Sequence, residues 1–293
     1  MKPLLAAMTL VAATPLAAGQ QPPAAPVFRG GIDVVRLDVS VVRNGKPVRG
    51  LSAADFVVTD NGVQQVVESV EVDQLPLSVQ LVLDVSGSVF GDRLDHLIAA
   101  ADGLVAALRQ GERAGVLTFS HRFHVLVDMT PDLASVRLAL RSLVGDGRTA
   151  LRDAVQLAIA TRHDEGARPL VLVFSDGVDN ASWLSEEAVL ESARRAGVVI
   201  HLIRVSGQER SGSRFVEQLT DTAGGRVWSA RSDAELQRLF TTALDEMRGR
   251  YLLSFSPQGP ARPGWHGLRV RLKNGGGDIT ARSGYFVAPS PRQ

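Results

Sequence analysis

The sequence predicts an α/β protein with a doubly wound, mostly parallel sheet, and a β-sandwich-like module formed by the N- and C-terminal flanks. Between residues 76 and 250, short apolar runs alternate with amphipathic helical patterns, which is typical of strands joined by helical crossovers. On either side, residues 32–75 and 251–287 show strand-like alternation and turn residues without a helical pattern. Neither flank has enough strands to fold alone, so we expect the two flanks to combine.

The first nineteen residues have the pattern of a secretory signal peptide. Lys2 supplies a positive charge, residues 4–13 form a short apolar run, and residues 17–19 are small. We expect cleavage after Gly19, a linker over residues 20–31, and a mature protein that is secreted or periplasmic. A retained N-terminal anchor is the alternative, and no later stretch predicts a transmembrane span.

Composition excludes several functional classes. The chain has 32 basic and 31 acidic residues, and loss of Lys2 would leave 31 of each. A mature chain without net charge has no general attraction for nucleic acid or anionic membranes. The chain also has no cysteine, which excludes disulfides, thiolate chemistry and thiolate zinc sites.

The N-terminal flank predicts three or four strands. Apolar residues alternate with other residues from Val35 to Val41, and Asn44-Gly45 is a strong hairpin signal after them. Phe56 and Val58 lead to a second turn at residues 60–62, and residues 66–72 predict another strand.

The central region opens with an apolar run at residues 77–83, which predicts a strand buried on both faces. A helical stripe follows over residues 91–110. Short strands at 115–119 and 123–127 are joined by too few residues for a parallel crossover, so we expect them to be antiparallel. The remaining patterns predict helices over 133–143, 150–160, 185–195, 216–220 and 236–247, and strands over 168–176, 198–205 and 226–228.

The C-terminal flank returns to alternation. We predict strands over residues 251–255, 268–272 and 279–287, with a glycine turn at 275–277 and a tail over 288–293.

Oxygen-bearing side chains follow the first central strand. Asp84, Ser86 and Ser88 occupy alternate positions, so in an extended segment their oxygens point the same way. Such hard ligands suit an ion like Mg²⁺, although a strand followed by a helix cap explains the segment equally well. Thr149 at the start of a helix and Asp176 at the end of another strand favour the metal site. Ligands of doubly wound sheets bind beyond the carboxyl ends of the strands, where the winding reverses.

An Asp-x-Ser-x-Ser motif followed by a Thr and an Asp resembles the metal-ion-dependent adhesion site of the von Willebrand factor type A family. The resemblance implies the Rossmann-like fold of that family. It also implies direct ligation by Ser86 and Ser88, direct or water-mediated ligation by Thr149, and action mainly through water by Asp84 and Asp176. The ion would be Mg²⁺, or another divalent cation such as Mn²⁺ or Ca²⁺. Its open coordination position would accept a carboxylate from a protein partner.

The whole layout also resembles a bacterial family, the VWFA-related domain first noted in acidobacteria. The segments that carry this resemblance are GKPVRGLSAADFVVTDNG before the central region, and YLLSFSP and SGYF after it. One departure concerns the third metal motif, since family members often have Gly-Gly-Thr where this chain has Arg148 before Thr149. We expect Arg148 to face solvent, and Asp179 to be a turn residue rather than an additional ligand.

Catalytic motifs are missing from the sequence. There is no G-x-S-x-G elbow and no phosphate-binding loop, and the six histidines form no helical pair at metal-ligand spacing. Ser86 also stands where haloacid-dehalogenase-type enzymes carry a second Asp. We therefore predict an interaction module rather than an enzyme. A structural or assembly subunit that needs no metal, and a metal-assisted hydrolase, are the alternatives.

Overall fold

The computed structural model describes residues 34–44, 46–72, 75–89, 91–161, 166–205, 213–259 and 262–288. The predicted signal peptide and the predicted linker lie outside the described residues. Within the described ranges, no helix is both long enough and apolar enough to cross a membrane.

The secondary structure follows the predicted order of elements. In chain order the elements are β1 (Val35–Arg43), β2 (Lys46–Pro47), β3 (Phe56–Asp60), β4 (Val63–Gln65), β5 (Ser69–Val72), β6 (Leu77–Asp84), α1 (Asp92–Ala106), β7 (Arg113–Phe119), β8 (Phe123–Thr130), α2 (Leu133–Leu140), α3 (Leu151–Ala160), β9 (Arg168–Phe174), α4 (Glu186–Ala196), β10 (Val199–Val205), α5 (Ser213–Ala223), β11 (Val227–Ala230), α6 (Asp233–Arg248), β12 (Tyr251–Phe255), β13 (Gly264–Leu272), β14 (Asp278–Thr280) and β15 (Gly284–Val287).

The central sheet has the strand order β11-β10-β9-β6-β7-β8. Strand β6 pairs in parallel with β7 and β9, whereas β7 and β8 are antiparallel, as their short connection predicts. Every residue of β6 is buried, because apolar clusters that include α1 and α6 cover one face and clusters that include α3, α4 and α5 cover the other. The predicted doubly wound α/β class is confirmed. The winding reverses between β6 and β9, which places a crevice at their carboxyl ends.

The two flanks form one module with two antiparallel sheets. One sheet has the order β14-β1-β12-β5 with β2 paired to β1, and the other has the order β15-β13-β3-β4. Each sheet therefore combines strands from both chain ends, as predicted. The side chains between them include Phe56 and Tyr251, whose rings meet edge to face at a centroid distance of 5.3 Å.

The predicted last strand over residues 279–287 is wrong. This segment forms two strands, β14 and β15, which belong to different sheets. The chain crosses between the sheets at Arg282, which is half-buried and donates a hydrogen bond to the backbone oxygen of Arg36 at 2.7 Å. The backbone of Arg282 also packs so closely on Gly224 that a Cβ atom at position 224 would collide with the backbone of Arg282. These long-range contacts have no signature in the alternation of the segment itself.

A buried charge cluster joins α6 to β10. Arg250 is fully buried and donates hydrogen bonds to the Glu246 carboxylate and to the backbone oxygen of Gly224. Burial alone would raise the pKa of Glu246, but the charge of Arg250 and a hydrogen bond from His201 outweigh it and hold that pKa well below its usual range. Burial lowers the pKa of His201. Its Nδ1 accepts the backbone N–H of Arg226 at 3.0 Å, so the ring proton sits on Nε2 and is donated to Glu246.

Candidate metal centre

Three loops meet at the carboxyl ends of β6 and β9. The first continues from Asp84 into a short 3₁₀ turn over Gly87–Val89, the second precedes α3, and the third joins β9 to α4. Backbone hydrogen bonds fix the first loop to the second. The N–H of Gly87 donates to the oxygen of Gly147 at 2.9 Å, and the N–H of Asp146 donates to the oxygen of Val85 at 2.8 Å. The second loop therefore lies directly against the Asp-x-Ser-x-Ser segment.

Asp84 is fully buried at the end of β6. Its Oδ1 accepts the backbone N–H of Ser86 at 2.9 Å, and its Oδ2 accepts the hydroxyl of Ser175 at 2.7 Å. Burial raises the pKa of Asp84 to about 6, and the negative charge of the nearby Asp176 adds to this. The hydrogen bonds from the two serines act in the opposite direction but do not restore the ordinary value.

Asp176 lies just beyond β9 and is half-buried. Its Oδ1 accepts the N–H of Val178 at 2.9 Å. Asp176 directly follows Ser175, whose hydroxyl is hydrogen-bonded to Asp84, so the two predicted carboxylates lie at the same end of the paired strands β6 and β9. Ser86 is also buried, and its hydroxyl is hydrogen-bonded to Asp84. Ser88 lies in the 3₁₀ turn, and its side chain is outside the described part of the structure.

Thr149 is buried next to the third loop. Its N–H donates to Oδ1 of Asn180 at 3.0 Å, and its backbone oxygen accepts the N–H groups of Asn180 and Ala181, each at 3.0 Å. These contacts use only backbone groups of Thr149, so they leave its hydroxyl available to a ligand. Asn180 thus fixes Thr149 in position, and Gly147, two residues earlier, touches the first loop.

The residues before Thr149 explain the departure from Gly-Gly-Thr. Gly147 has a φ of 89°, and a Cβ atom there would lie 2.0 Å from Nδ1 of His121, so only glycine fits. Arg148, by contrast, is exposed, and its guanidinium donates a hydrogen bond to the backbone oxygen of Asn180. An arginine therefore fits at position 148 without entering the site.

Asp179 holds the third loop. It accepts the N–H of Arg152 at 2.8 Å and the hydroxyl of Ser182 at 2.6 Å. Burial alone would raise the pKa of Asp179, but these hydrogen bonds outweigh it and lower the pKa below its ordinary value. Its oxygens are occupied, in keeping with the expected turn role.

Two residues that support the site were missed by the sequence reasoning. Ser175 hydrogen-bonds Asp84, and Asn180 hydrogen-bonds Thr149. The position of Ser175 directly before a strand-end Asp was a usable signal. The role of Asn180 depends on two loops meeting in space, which no local pattern reveals.

The donor set fits a divalent cation. Asp84 and Asp176 are neighbouring carboxylates, and the hydrogen bonds they accept in the described structure come from neutral N–H and O–H groups. Within the described ranges, no group of three or more histidine or acidic side chains that could hold a metal comes together. Two carboxylates with hydroxyls suit a hard ion that keeps some of its waters.

The comparisons identify the central domain. Residues 79–178 match the family model for the von Willebrand factor type A domain. The chain carries a von Willebrand factor type A domain. The matched residues run from β6 to just beyond Asp176 and so include the whole candidate metal centre.

Related proteins support the assignment of the fold. The chain is 32% identical over 108 residues to the uncharacterized protein sll0103 of Synechocystis, a match that covers 36% of this chain and 26% of that protein. The chain therefore spans about a quarter of that relative.

Two solved structures share the fold at low identity. Proximal thread matrix protein 1 from the mussel byssus, solved with a zinc-occupied MIDAS motif, has a TM-score of 0.55 and 17% identity over 65% of this chain and 50% of that one. A point mutant of the PilB minor pilin from Streptococcus sanguinis has a TM-score of 0.51 and 14% identity over 60% of this chain and 62% of that one.

Proposed function

We propose that this protein is a secreted or periplasmic interaction module that binds an acidic residue of a partner protein through a divalent cation, and that it is not an enzyme. A-type domains are typically interaction modules, and the structural neighbour from mussel byssus holds zinc at the corresponding motif. The cation would be Mg²⁺, or Mn²⁺ or Ca²⁺. The residues proposed to hold it are Asp84, Ser86, Ser88, Thr149 and Asp176.

The observation that carries the proposal is the pair of neighbouring carboxylates, Asp84 and Asp176. Burial raises the pKa of Asp84, and the negative charge of Asp176 adds to this, so both effects disfavour the ionised carboxylate. A divalent cation would supply the missing positive charge and one open coordination position. Ser175 and Ser86 orient Asp84, and Asn180 orients Thr149, so the chain's own hydrogen bonds prepare the ligands.

Hydroxyl ligands make the site selective for an acidic partner. Hydroxyls add no negative charge, so the protein supplies at most two carboxylates to the divalent cation. The cation can then still attract a third carboxylate, from the partner protein. A fully acidic ligand shell would instead repel a partner carboxylate. The exposed Arg148 at the rim adds a positive charge in the same region.

Calorimetric titration with Mg²⁺ and Mn²⁺ tests the proposal. Wild type should bind one ion, and Asp84→Asn should lower the affinity by at least tenfold. Asp128→Asn is the matched control, because Asp128 is exposed on β8 and far along the chain from the three loops. Equal affinity of wild type and Asp84→Asn would refute the metal site. Partner binding that survives chelation would favour the metal-independent assembly subunit.

A further inference from the structure

Trp183 is exposed on the third loop of the candidate metal centre. Its side chain is 95% exposed, the highest value among the large apolar side chains of the described structure that face solvent. It lies seven residues after Asp176. Tryptophan is highly buried on average, so a ring exposed to this degree is unusual.

The loop that presents Trp183 is well fixed. Asp153, in the first turn of α3, accepts the N–H of Trp183 on Oδ2 and the N–H of Leu184 on Oδ1, both at 2.9 Å. The hydroxyl of Ser182 donates to Asp179 at 2.6 Å. The exposure of the ring is therefore imposed by an ordered backbone. An ordered loop loses little conformational entropy when a partner binds.

The same hydrogen bonds place Trp183 beside the metal centre. Asn180 binds the backbone of Thr149, and Asp153 binds the backbone of Trp183. Asp153 lies in the first turn of α3 and follows Thr149 by four residues. The third loop thus runs alongside the start of α3, with the proposed ligand Thr149 at one end and Trp183 at the other.

A second exposed apolar side chain lies on the second loop. Val144 is 77% exposed and comes directly before Gly145, whose backbone packs on the backbone oxygens of Val85 and Val89. Two of the three loops around the carboxylates therefore each present an apolar side chain to solvent.

We infer that Trp183 is a binding anchor, and that the partner segment carries a bulky apolar side chain within a few residues of the carboxylate that meets the cation. This inference rests on the proposed function and extends it from the ion to the surrounding surface. Tryptophan is enriched among the residues that dominate interface energetics, and it works best beside contacts that exclude water. The bond between the carboxylate and the cation would fix where the partner segment binds. The apolar contact with Trp183 would determine which acidic segments bind tightly.

Selection from a phage-displayed library of random linear peptides tests the inference. The mature chain is immobilised in Mg²⁺ buffer, and bound phage are eluted with chelator. The eluted peptides should combine an Asp or Glu with an aromatic or aliphatic residue nearby. Synthesised peptides should bind Trp183→Ser about 30-fold more weakly than wild type, the loss expected for an anchor residue. Trp183→Phe should recover most of the affinity.

Matched variants separate this inference from the proposed function. Val66→Ser removes an apolar side chain that is 58% exposed on the sandwich module, and it should leave peptide affinity unchanged. Mg²⁺ affinity should be the same in Trp183→Ser and wild type. Peptides that chelator does not release, recovered by a second elution at low pH, would overturn the metal-dependent function while supporting the anchor if their binding is lost in Trp183→Ser.

Three results would overturn the anchor. The first is chelator-eluted acidic peptides that bind Trp183→Ser as tightly as wild type. The second is a selection whose enriched acidic peptides carry no aromatic or aliphatic residue near the Asp or Glu. The third is a concentration-dependent dimer of the wild-type chain that Trp183→Ser abolishes, because the occupant of the surface would then be a second copy of this chain.

Discussion

Replacing Asp84 by Asn should stabilise the metal-free protein at neutral pH and abolish its stabilisation by Mg²⁺. Asn has nearly the same shape as Asp and keeps an oxygen that can accept the N–H of Ser86. Its amide can donate to the hydroxyl of Ser175, which lies 2.7 Å from Oδ2 of Asp84. The substitution therefore removes one buried charge and leaves the packing of the site intact.

The magnitude follows from the pKa of Asp84, which burial raises from 3.8 to about 6. This difference corresponds to about 3 kcal/mol of stability. Because the pKa is higher in the folded state, the protonated form of Asp84 favours folding below pH 3.8, and this contribution is lost as the pH rises through about 6. In chelator, the free energy of unfolding of Asp84→Asn should equal that of wild type near pH 3.8 and exceed it by about 3 kcal/mol above about pH 6.

Urea unfolding in chelator, followed by tryptophan fluorescence across this pH range, measures the difference. Mg²⁺ at 1,000 times its wild-type Kd should reverse the order, since a ligand at that concentration stabilises the folded state by about 4.1 kcal/mol and only wild type should bind it. Asp128→Asn should follow wild type in both conditions. If wild type and Asp84→Asn are equally stable in chelator at neutral pH, the charge of Asp84 is not penalised by burial, and the reasoning from the carboxylate pair fails.

Three further predictions concern supporting groups. Ser175→Ala should lower Mg²⁺ affinity about 10- to 100-fold in the same calorimetric titration, because it removes a hydrogen bond that orients Asp84; unchanged affinity would refute that role. Glu246→Ala should lower the free energy of unfolding by about 3–5 kcal/mol in urea, because it leaves the buried Arg250 without its counter-ion; a loss below about 1 kcal/mol would contradict this. In the Asp84→Asn background, the free energy of unfolding should fall as the pH drops below 6.5 and fall again below 4.5. These are the ordinary pKa values of His201 and Glu246, and folding lowers both, so only the unfolded chain takes up the protons. A free energy of unfolding that does not change with pH would show that neither group is perturbed.

Local patterns were sufficient to predict the alternating core of the protein. The run at Leu77–Asp84 is apolar at five of its eight positions, and all eight are buried because both faces of β6 are covered. The short connection between β7 and β8 leaves only an antiparallel pairing. The parallel pairing of β6 with β9 then puts Asp84 and Asp176 at one edge of the sheet. Sequence order and strand direction together were therefore enough to bring the two carboxylates to the same end.

Contacts between distant segments were beyond sequence reasoning. Residues 279–287 alternate like one strand, but they are divided between two sheets at Arg282, whose backbone packs on Gly224. Asn180 looks like an ordinary loop residue until its side chain is seen on the backbone of Thr149. The exposure of Trp183 also depends on Asp153, thirty residues earlier, which fixes the loop from a different element. In each case the deciding partner is remote in the chain.

Anomalous diffraction from crystals grown with Mn²⁺ tests the central claim most directly. We expect one strong anomalous peak at the carboxyl ends of β6 and β9. It should lie within bonding distance of the hydroxyls of Ser86 and Thr149 and close to the carboxylates of Asp84 and Asp176. A peak elsewhere, or none when Mn²⁺ is in large excess, would contradict it.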